Sequence, residues 1–115
     1  MNLTEQLNQL ESLVTRGAIL DAVDKFFHDD IITKDPNAKE THGKLAKRKF
    51  LEGFLNGIAK VNGITLLANA VGDNVTMSEY IFDFDMKDGS KILWHEVIRR
   101  QWKDGKIVNE KYYQN

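Results

Sequence analysis

The chain has no cysteine among its 115 residues, which excludes thiolate nucleophiles, cysteine-ligated zinc, iron–sulfur clusters and disulfides together. Neither sign of charge is in excess: 16 Lys and Arg stand against 17 Asp and Glu, a formal net charge of −1 at pH 7. No charged tail is hidden in either half, since residues up to Gly63 carry nine basic and nine acidic side chains and those from Ile64 carry seven and eight. That balance argues against a nucleic-acid surface or a polybasic membrane patch. No stretch approaches the ~20 uninterrupted apolar residues that a membrane span needs. The opening MNLTEQLNQLES lacks both a basic start and an apolar run, so it does not read as a signal peptide. Histidines number three and are scattered, with no HxxxH and no carboxylate cluster at ligand spacing, which leaves a metal site without support. A Gly-rich phosphate loop, a GxSxG turn and a Ser/His/Asp constellation are also missing. The expectation is a single cytoplasmic domain over residues 1–115 with no metal and no cofactor, long enough to bury roughly two thirds of its unfolded surface unaided.

What is present is periodic. Leu3, Leu7, Leu10 and Val14 recur at helical spacing, and Asn2 followed by Glu5 resembles a capping box, so a first helix is expected from Asn2 to about Arg16. Gly17 stops it. Ala18, Ile19, Ala22, Val23, Phe26 and Phe27 mark a second helix ending near His28, where a cation would suit the helix dipole. Ile31-Ile32-Thr33 reads as a brief strand and Pro36 to Gly43 as a loop. A third helix is expected from about Gly43 to Asn62, on a stripe including Leu45, Phe50, Leu51, Phe54, Leu55, Ile58 and Ala59. Its first turns carry Lys44, Lys47, Arg48 and Lys49, which read as a solvated face. Gly53 and Gly57 inside it each cost about 1 kcal/mol against Ala and point to a close approach by backbone, ligand or sheet.

From Ile64 the period becomes that of strands, with turns at Gly72-Asp73-Asn74, Lys87-Asp88-Gly89 and Asp104-Gly105. Four strands follow: Ile64–Val71, Val75–Met86, Lys91–Lys103 and Lys106–Tyr113. The plan is α+β, three N-terminal helices on a curved, mostly antiparallel sheet. In the third of these strands alternation gathers Ile92, Trp94, Glu96, Ile98, Arg100 and Trp102 on one face. A three-residue loop with Gly89 in the left-handed position would set Phe84 opposite Ile92, Phe82 opposite Trp94 and Tyr80 opposite Glu96. A two-residue turn would slip this register by one residue and pair Phe82 with His95, a poorer match, so the three-residue loop is expected. The register at Asp104-Gly105 leaves open whether Ile107 or Val108 points inward.

An aromatic face that also carries Glu96, Arg100 and the Tyr80 hydroxyl is costly to bury as solid core, and a partly polar cavity between helices and sheet resolves the conflict. A Glu96–Arg100 ion pair at the rim of an ordinary core is the other resolution. Met77, Ile81, Leu93 and Val97 make the opposite face apolar too, so a homodimer through that outer face is expected, with His95 at the interface.

The run AVDKFFHDDIITKDPNAKETHGKLAKRKFLEGF resembles the helix–strand–loop–helix opening of SnoaL-like domains in the nuclear transport factor 2-like superfamily, and RRQWKDGKIVNEKYY resembles their final hairpin. The resemblance covers essentially the whole chain. It implies a cone-shaped α+β barrel and a range of activities that includes ketosteroid isomerases, polyketide cyclases, dehydratases, epoxide hydrolases and plain binding or dimerisation modules. Asp35-Pro36 matches the general base of the isomerases, although Asp-Pro is also ordinary turn chemistry. Their oxyanion-hole Tyr and Asp would fall at or near Glu11 and Ile98, neither of which could substitute, so that activity itself is not expected. The epoxide hydrolases rely on an Asp–Arg–Asp arrangement across neighbouring strands, which Glu96 and Arg100 on one face do not reproduce. The cyclases imply a pocket acid/base without metal.

Two functional readings follow. In one, Asp35 or Glu96 is the acid/base of a cofactor-independent isomerase, cyclase or dehydratase acting on a small apolar carbonyl compound, with Arg100 or Tyr80 steadying the oxyanion. Phe54, Tyr80, Phe82, Trp94, Ile98 and Trp102 would line the cone, and His42, at the loop-to-helix entry, would be a proton carrier at its mouth or simply a capping residue. In the other, the same cone binds a small ligand, or supports dimerisation, without catalysis.

Overall fold

In the computed structural model, which describes residues 1–114, helix α1 spans Leu3–Thr15. Asn2 Oδ1 accepts the Glu5 backbone N–H at 2.9 Å while Asn2 Nδ2 donates to Glu5 Oε1 at 3.2 Å. The reciprocal pair satisfies a first-turn donor that the helix cannot satisfy itself. Helix α2, Ile19–Phe26, buries Ala22, Val23 and Phe26. The chain then passes directly into strand β1, Phe27–Lys34.

That strand is longer than the three residues expected, and His28 lies within it rather than closing a helix. Its Nδ1 accepts the Asp30 backbone N–H at 3.0 Å. The reason is tertiary: β1 runs parallel to strand β6, Lys106–Gln114, with Phe27 opposite Ile107 and Thr33 opposite Glu110. A partner at the far end of the sequence leaves no local periodicity to read. Strand β2, Glu40–His42, occupies part of the segment expected to be a loop and pairs antiparallel with β1, Ile32 opposite His42.

Helix α3 covers Lys44–Asn56 and stops short of the expected Asn62. Gly57 caps it, and a Cβ there would lie 3.3 Å from Met86 Cε, so the close approach expected of these glycines holds at Gly57. At Gly53 a Cβ would meet nothing within 4 Å. Ile58 and Ala59, which continue the apolar stripe of a helix on paper, begin strand β3, Ile58–Val71, instead. Pairing with strand β4, Val75–Met86, decides this: Ile58 stands opposite Met86, and Lys87 N–H donates to Gly57 O at 2.8 Å. Ladder bonds along the β4 edge outweigh the helical period.

Strand β5 is Lys91–Lys103. The order is β2-β1-β6-β5-β4-β3, antiparallel everywhere except β1 against β6. Register shifts at three places between β3 and β4 add twist, and the sheet is curved but unclosed. Gly89 has φ +89°, and the register is the one with Phe84 opposite Ile92, Phe82 opposite Trp94 and Tyr80 opposite Glu96. Asp104 and Gly105 both have positive φ, the signature of a two-residue hairpin turn. It sets Ile107, fully buried, opposite Trp102, which settles which residue points inward.

The core joins Leu7, Leu10 and Val14 of α1 with Val23 and Phe26 of α2 and the inner residues Tyr80, Phe82, Phe84, Ile98 and Trp102 of the sheet. Among the described residues no helix is long and apolar enough to cross a membrane.

Candidate functional site

The inner face of β4 and β5 is not filled to the end that α3 covers. A cavity of about 280 Å³ opens there, between α3, the turn after β1 and the strands. Of the residues singled out in the sequence, Asp35, Phe54, Phe82, Trp94, Glu96, Ile98 and Arg100 line it. The aromatic wall is built of contacts: the Phe54 and Trp94 rings stack with centroids 5.5 Å apart, Phe54 meets Phe84 edge-on at 5.9 Å, and Phe82 lies beside Phe84 at 5.9 Å.

Three of the singled-out residues stand elsewhere. Tyr80 is fully buried among core residues, and its hydroxyl makes no hydrogen bond of acceptable geometry, although Ser78 and Arg100 lie near. Trp102 packs edge-on against Phe26 at 5.7 Å, and its Nε1–H donates to Thr76 Oγ1 at 3.0 Å. Both sit deeper in the core than the cavity, Trp102 covered by Phe26 of α2. His42 projects from β2 with a side chain 67% exposed, 3.5 Å from Glu40. Pairing of β2 with β1 turns it outward.

The polar groups are arranged in two pairs and one remainder. Lys47 Nζ reaches both Asp35 oxygens, at 3.0 and 3.3 Å, and the lysine is 1% exposed. Its ammonium also stands 4.7 Å from the Tyr112 ring centroid and 5.1 Å from that of Phe50. The expectation of a solvated basic face on α3 therefore fails at Lys47, which turns inward to meet Asp35. Arg100, 2% exposed, donates Nε–H to Glu110 Oε2 at 3.0 Å and Nη1–H to Ser78 Oγ at 3.3 Å. Tyr112 donates its hydroxyl to the other Glu110 oxygen at 2.6 Å. Burial, and then the Glu110 charge, hold the Tyr112 pKa well above the usual tyrosine value.

Glu96 is the remainder. It is 5% exposed and accepts from Gln114 Nε2 at 3.1 Å, and among the described residues it makes no ion pair. Arg100 shares its strand face but is taken by Glu110, so the rim ion pair weighed from the sequence does not form. Burial pushes the Glu96 pKa from 4.5 up to about 7, helped by the nearby Asp35 charge and opposed by the Gln114 hydrogen bond and by Lys47. A carboxyl in that range can both take and return a proton near neutral pH.

Lys47, Tyr112 and Gln114 were not picked out from the sequence. Lys47 was hidden in a basic run, and the β6 residues depended on a hairpin register that alternation alone left open. Glu11, where the isomerases' tyrosine would fall, instead ties α1 to the sheet by accepting from Asn69 Nδ2 and Ser78 Oγ, each at 2.7 Å. No three His, Asp or Glu side chains among the described residues cluster so as to hold a metal ion.

The model of the SnoaL-like domain matches residues 9–110. The chain belongs to the SnoaL-like domain family. Solved structures agree on the fold. A Mesorhizobium loti protein described as a candidate SnoaL-like polyketide cyclase is 25% identical, with a TM-score of 0.88 over 98% of this chain and 99% of that one. A nuclear transport factor 2-like protein of unknown function from Burkholderia pseudomallei is 11% identical, with a TM-score of 0.81 over 97% and 89%. A Catenulispora acidiphila protein with a ketosteroid isomerase-like fold, solved in complex with trimethylamine, is 14% identical, with a TM-score of 0.77 over 95% and 84%. The comparison with curated proteins found no match. The SnoaL-like domain thus carries its cavity on the cone-shaped α+β plan, with three helices against a six-stranded sheet.

Proposed function

We propose that this SnoaL-like domain binds a small, largely apolar carbonyl compound in the aromatic cavity and moves a proton on it without a cofactor, in the manner of an isomerase, cyclase or dehydratase. The observation that carries this reading is Glu96, buried at the cavity wall without an ion-pair partner among the described residues and with a pKa of about 7. Glu96 takes a proton beside the substrate carbonyl and returns it elsewhere, Gln114 holds its carboxyl in place, and Lys47 steadies the developing oxyanion. Asp35, tied to Lys47, orients that ammonium and is the second candidate base. A cavity of about 280 Å³ suits a ligand of about ten non-hydrogen atoms.

A second reading, binding without turnover, is favoured by Arg100. Its pairing with Glu110 and Ser78 commits the guanidinium to the core, which removes one of the two groups expected to steady an oxyanion. The test is proton exchange into small ketones in heavy water, followed by NMR. Exchange that Glu96→Gln abolishes and Asp35→Asn weakens supports the catalytic reading; ligand binding with no exchange supports the second.

The same reading includes a homodimer through the outer sheet face, supported by the exposure of Leu67, Met77 and Leu93. Sedimentation at micromolar concentration should give a dimer, and Leu93→Lys a monomer. A monomeric wild-type chain removes this part of the proposal.

A further inference from the structure

The charges around the cavity do not cancel. Of the charged groups that line it, Lys47 of α3 is taken by Asp35 at 3.0 Å and Arg100 of β5 by Glu110 of β6 at 3.0 Å. Glu96 is left over, facing Asp35 of the turn after β1, Lys47 of α3 and Glu110 of β6 and bonded, among the described residues, only to the neutral amide of Gln114. An anion buried in a cavity wall without a counter-ion is costly, so the site gains most from a guest that brings positive charge. An anionic guest would meet the unmatched carboxylate and be repelled.

The walls favour the same kind of guest. Rings of Phe54, Phe82, Phe84 and Trp94 line the cavity, Phe54 and Trp94 stacked on one another, and the ring faces left uncovered attract cations. The chain already uses this attraction, since the buried Lys47 ammonium lies 4.7 Å from the Tyr112 centroid and 5.1 Å from that of Phe50. A guest ammonium seated near Glu96 would repeat what Lys47 does at another part of the cavity wall.

We propose that the cavity selects a small organic ammonium compound, its charged nitrogen at Glu96 and its apolar body against Phe54, Phe82 and Trp94. This rests on the reading of the cavity as a small-ligand site and narrows the ligand class. Because an ammonium paired with Glu96 lowers its pKa and takes it out of use as a base, a guest held this way fits the second reading, binding without turnover.

The experiment uses the full chain and three probes of similar shape and different charge: benzylamine, benzyl alcohol and benzoate, with binding followed by calorimetry and by shifts of the tryptophan indole NMR signals. At about pH 8 benzylamine should bind about tenfold or more tightly than benzyl alcohol, and benzoate not measurably. Near pH 5, where Glu96 carries its proton, the preference for benzylamine should shrink to a few-fold or less. Glu96→Gln, first shown by urea unfolding to be folded, should lose the preference for the amine over the alcohol. Equal binding of benzylamine and benzyl alcohol by the wild type, or a preference that survives in Glu96→Gln, overturns the ammonium proposal and leaves the small-ligand site standing. Failure of all three probes to bind the wild type counts against both.

Discussion

Glu96 and Arg100 stand four residues apart on one face of β5, yet Arg100 bonds to Glu110 across the sheet at 3.0 Å and Glu96 to Gln114 at 3.1 Å. The partition follows from geometry. Arg100 is directly opposite Glu110 in the β5–β6 ladder and Glu96 directly opposite Gln114, and cross-strand neighbours are closer than residues two pleats apart along one strand. The consequence is one neutralised pair in the core and one unmatched carboxyl at the cavity.

Replacing that carboxyl should reshape the pH dependence of stability. With its pKa raised from 4.5 to about 7, Glu96 holds its proton more tightly in the folded than in the unfolded chain. Its contribution to stability is complete below pH 4.5 and is lost as pH rises through about 7. Glu96→Gln should therefore be more stable than wild type by about 1–3 kcal/mol near pH 8, with the difference narrowing toward pH 5. Urea unfolding at a series of pH values measures it, and a wild-type stability that rises between pH 5 and 8 relative to the variant contradicts the assignment.

The Arg100–Glu110 pair predicts an asymmetry. Arg100→Met or Glu110→Gln alone should cost about 3–5 kcal/mol, because each leaves a buried charge without its partner. Arg100→Met with Glu110→Gln should cost less than the sum of the two single changes. A double-mutant cycle in urea tests this, and strict additivity would refute the coupling.

Gly53 and Gly57 should respond differently to alanine. Gly53 is inside α3 with open space where a Cβ would go, so Gly53→Ala should stabilise by about 0.5–1 kcal/mol. At Gly57 the added methyl would lie 3.3 Å from Met86 Cε and from Phe54 O, and the change should be neutral at best. Thermal midpoints of the two variants are the comparison.

Two aromatic residues of the same core differ in their polar atoms. The Tyr80 hydroxyl is buried without an acceptable partner, so Tyr80→Phe should lie within about 0.5 kcal/mol of wild type or be slightly stabilising. Trp102→Phe should cost about 2–4 kcal/mol, since it removes ring volume and strands the buried Thr76 hydroxyl. Chemical unfolding of the pair distinguishes them.

The β3–β6 meander was legible in the amino-acid order because hairpins are local: period-two alternation and Gly89 together specified which residues of β4 and β5 oppose one another. The sequence likewise brought Phe54, Phe82, Trp94 and Glu96 to one surface. It misjudged the boundary at Gly57, where a stripe of apolar residues serves helix and strand equally, and it missed β2 and most of β1, whose hydrogen-bond partners lie far along the chain. Tyr80 and Trp102 share the face of Trp94, so alternation could not tell cavity wall from core; only the packing of the helices over the sheet separates them.

Composition alone removed thiol chemistry, and alternation alone defined an aromatic face carrying a glutamate and an arginine. The pairing of those charges was decided in three dimensions. Whether Glu96 meets Arg100, Lys47 or no cation depends on differences of a few ångströms across strands and a helix, and electrostatic energy in a dry site changes steeply over that distance. Residue order sets the inventory of charges; the parallel placement of β1 beside β6 and the inward turn of Lys47 toward Asp35 decide which of them is left unmatched.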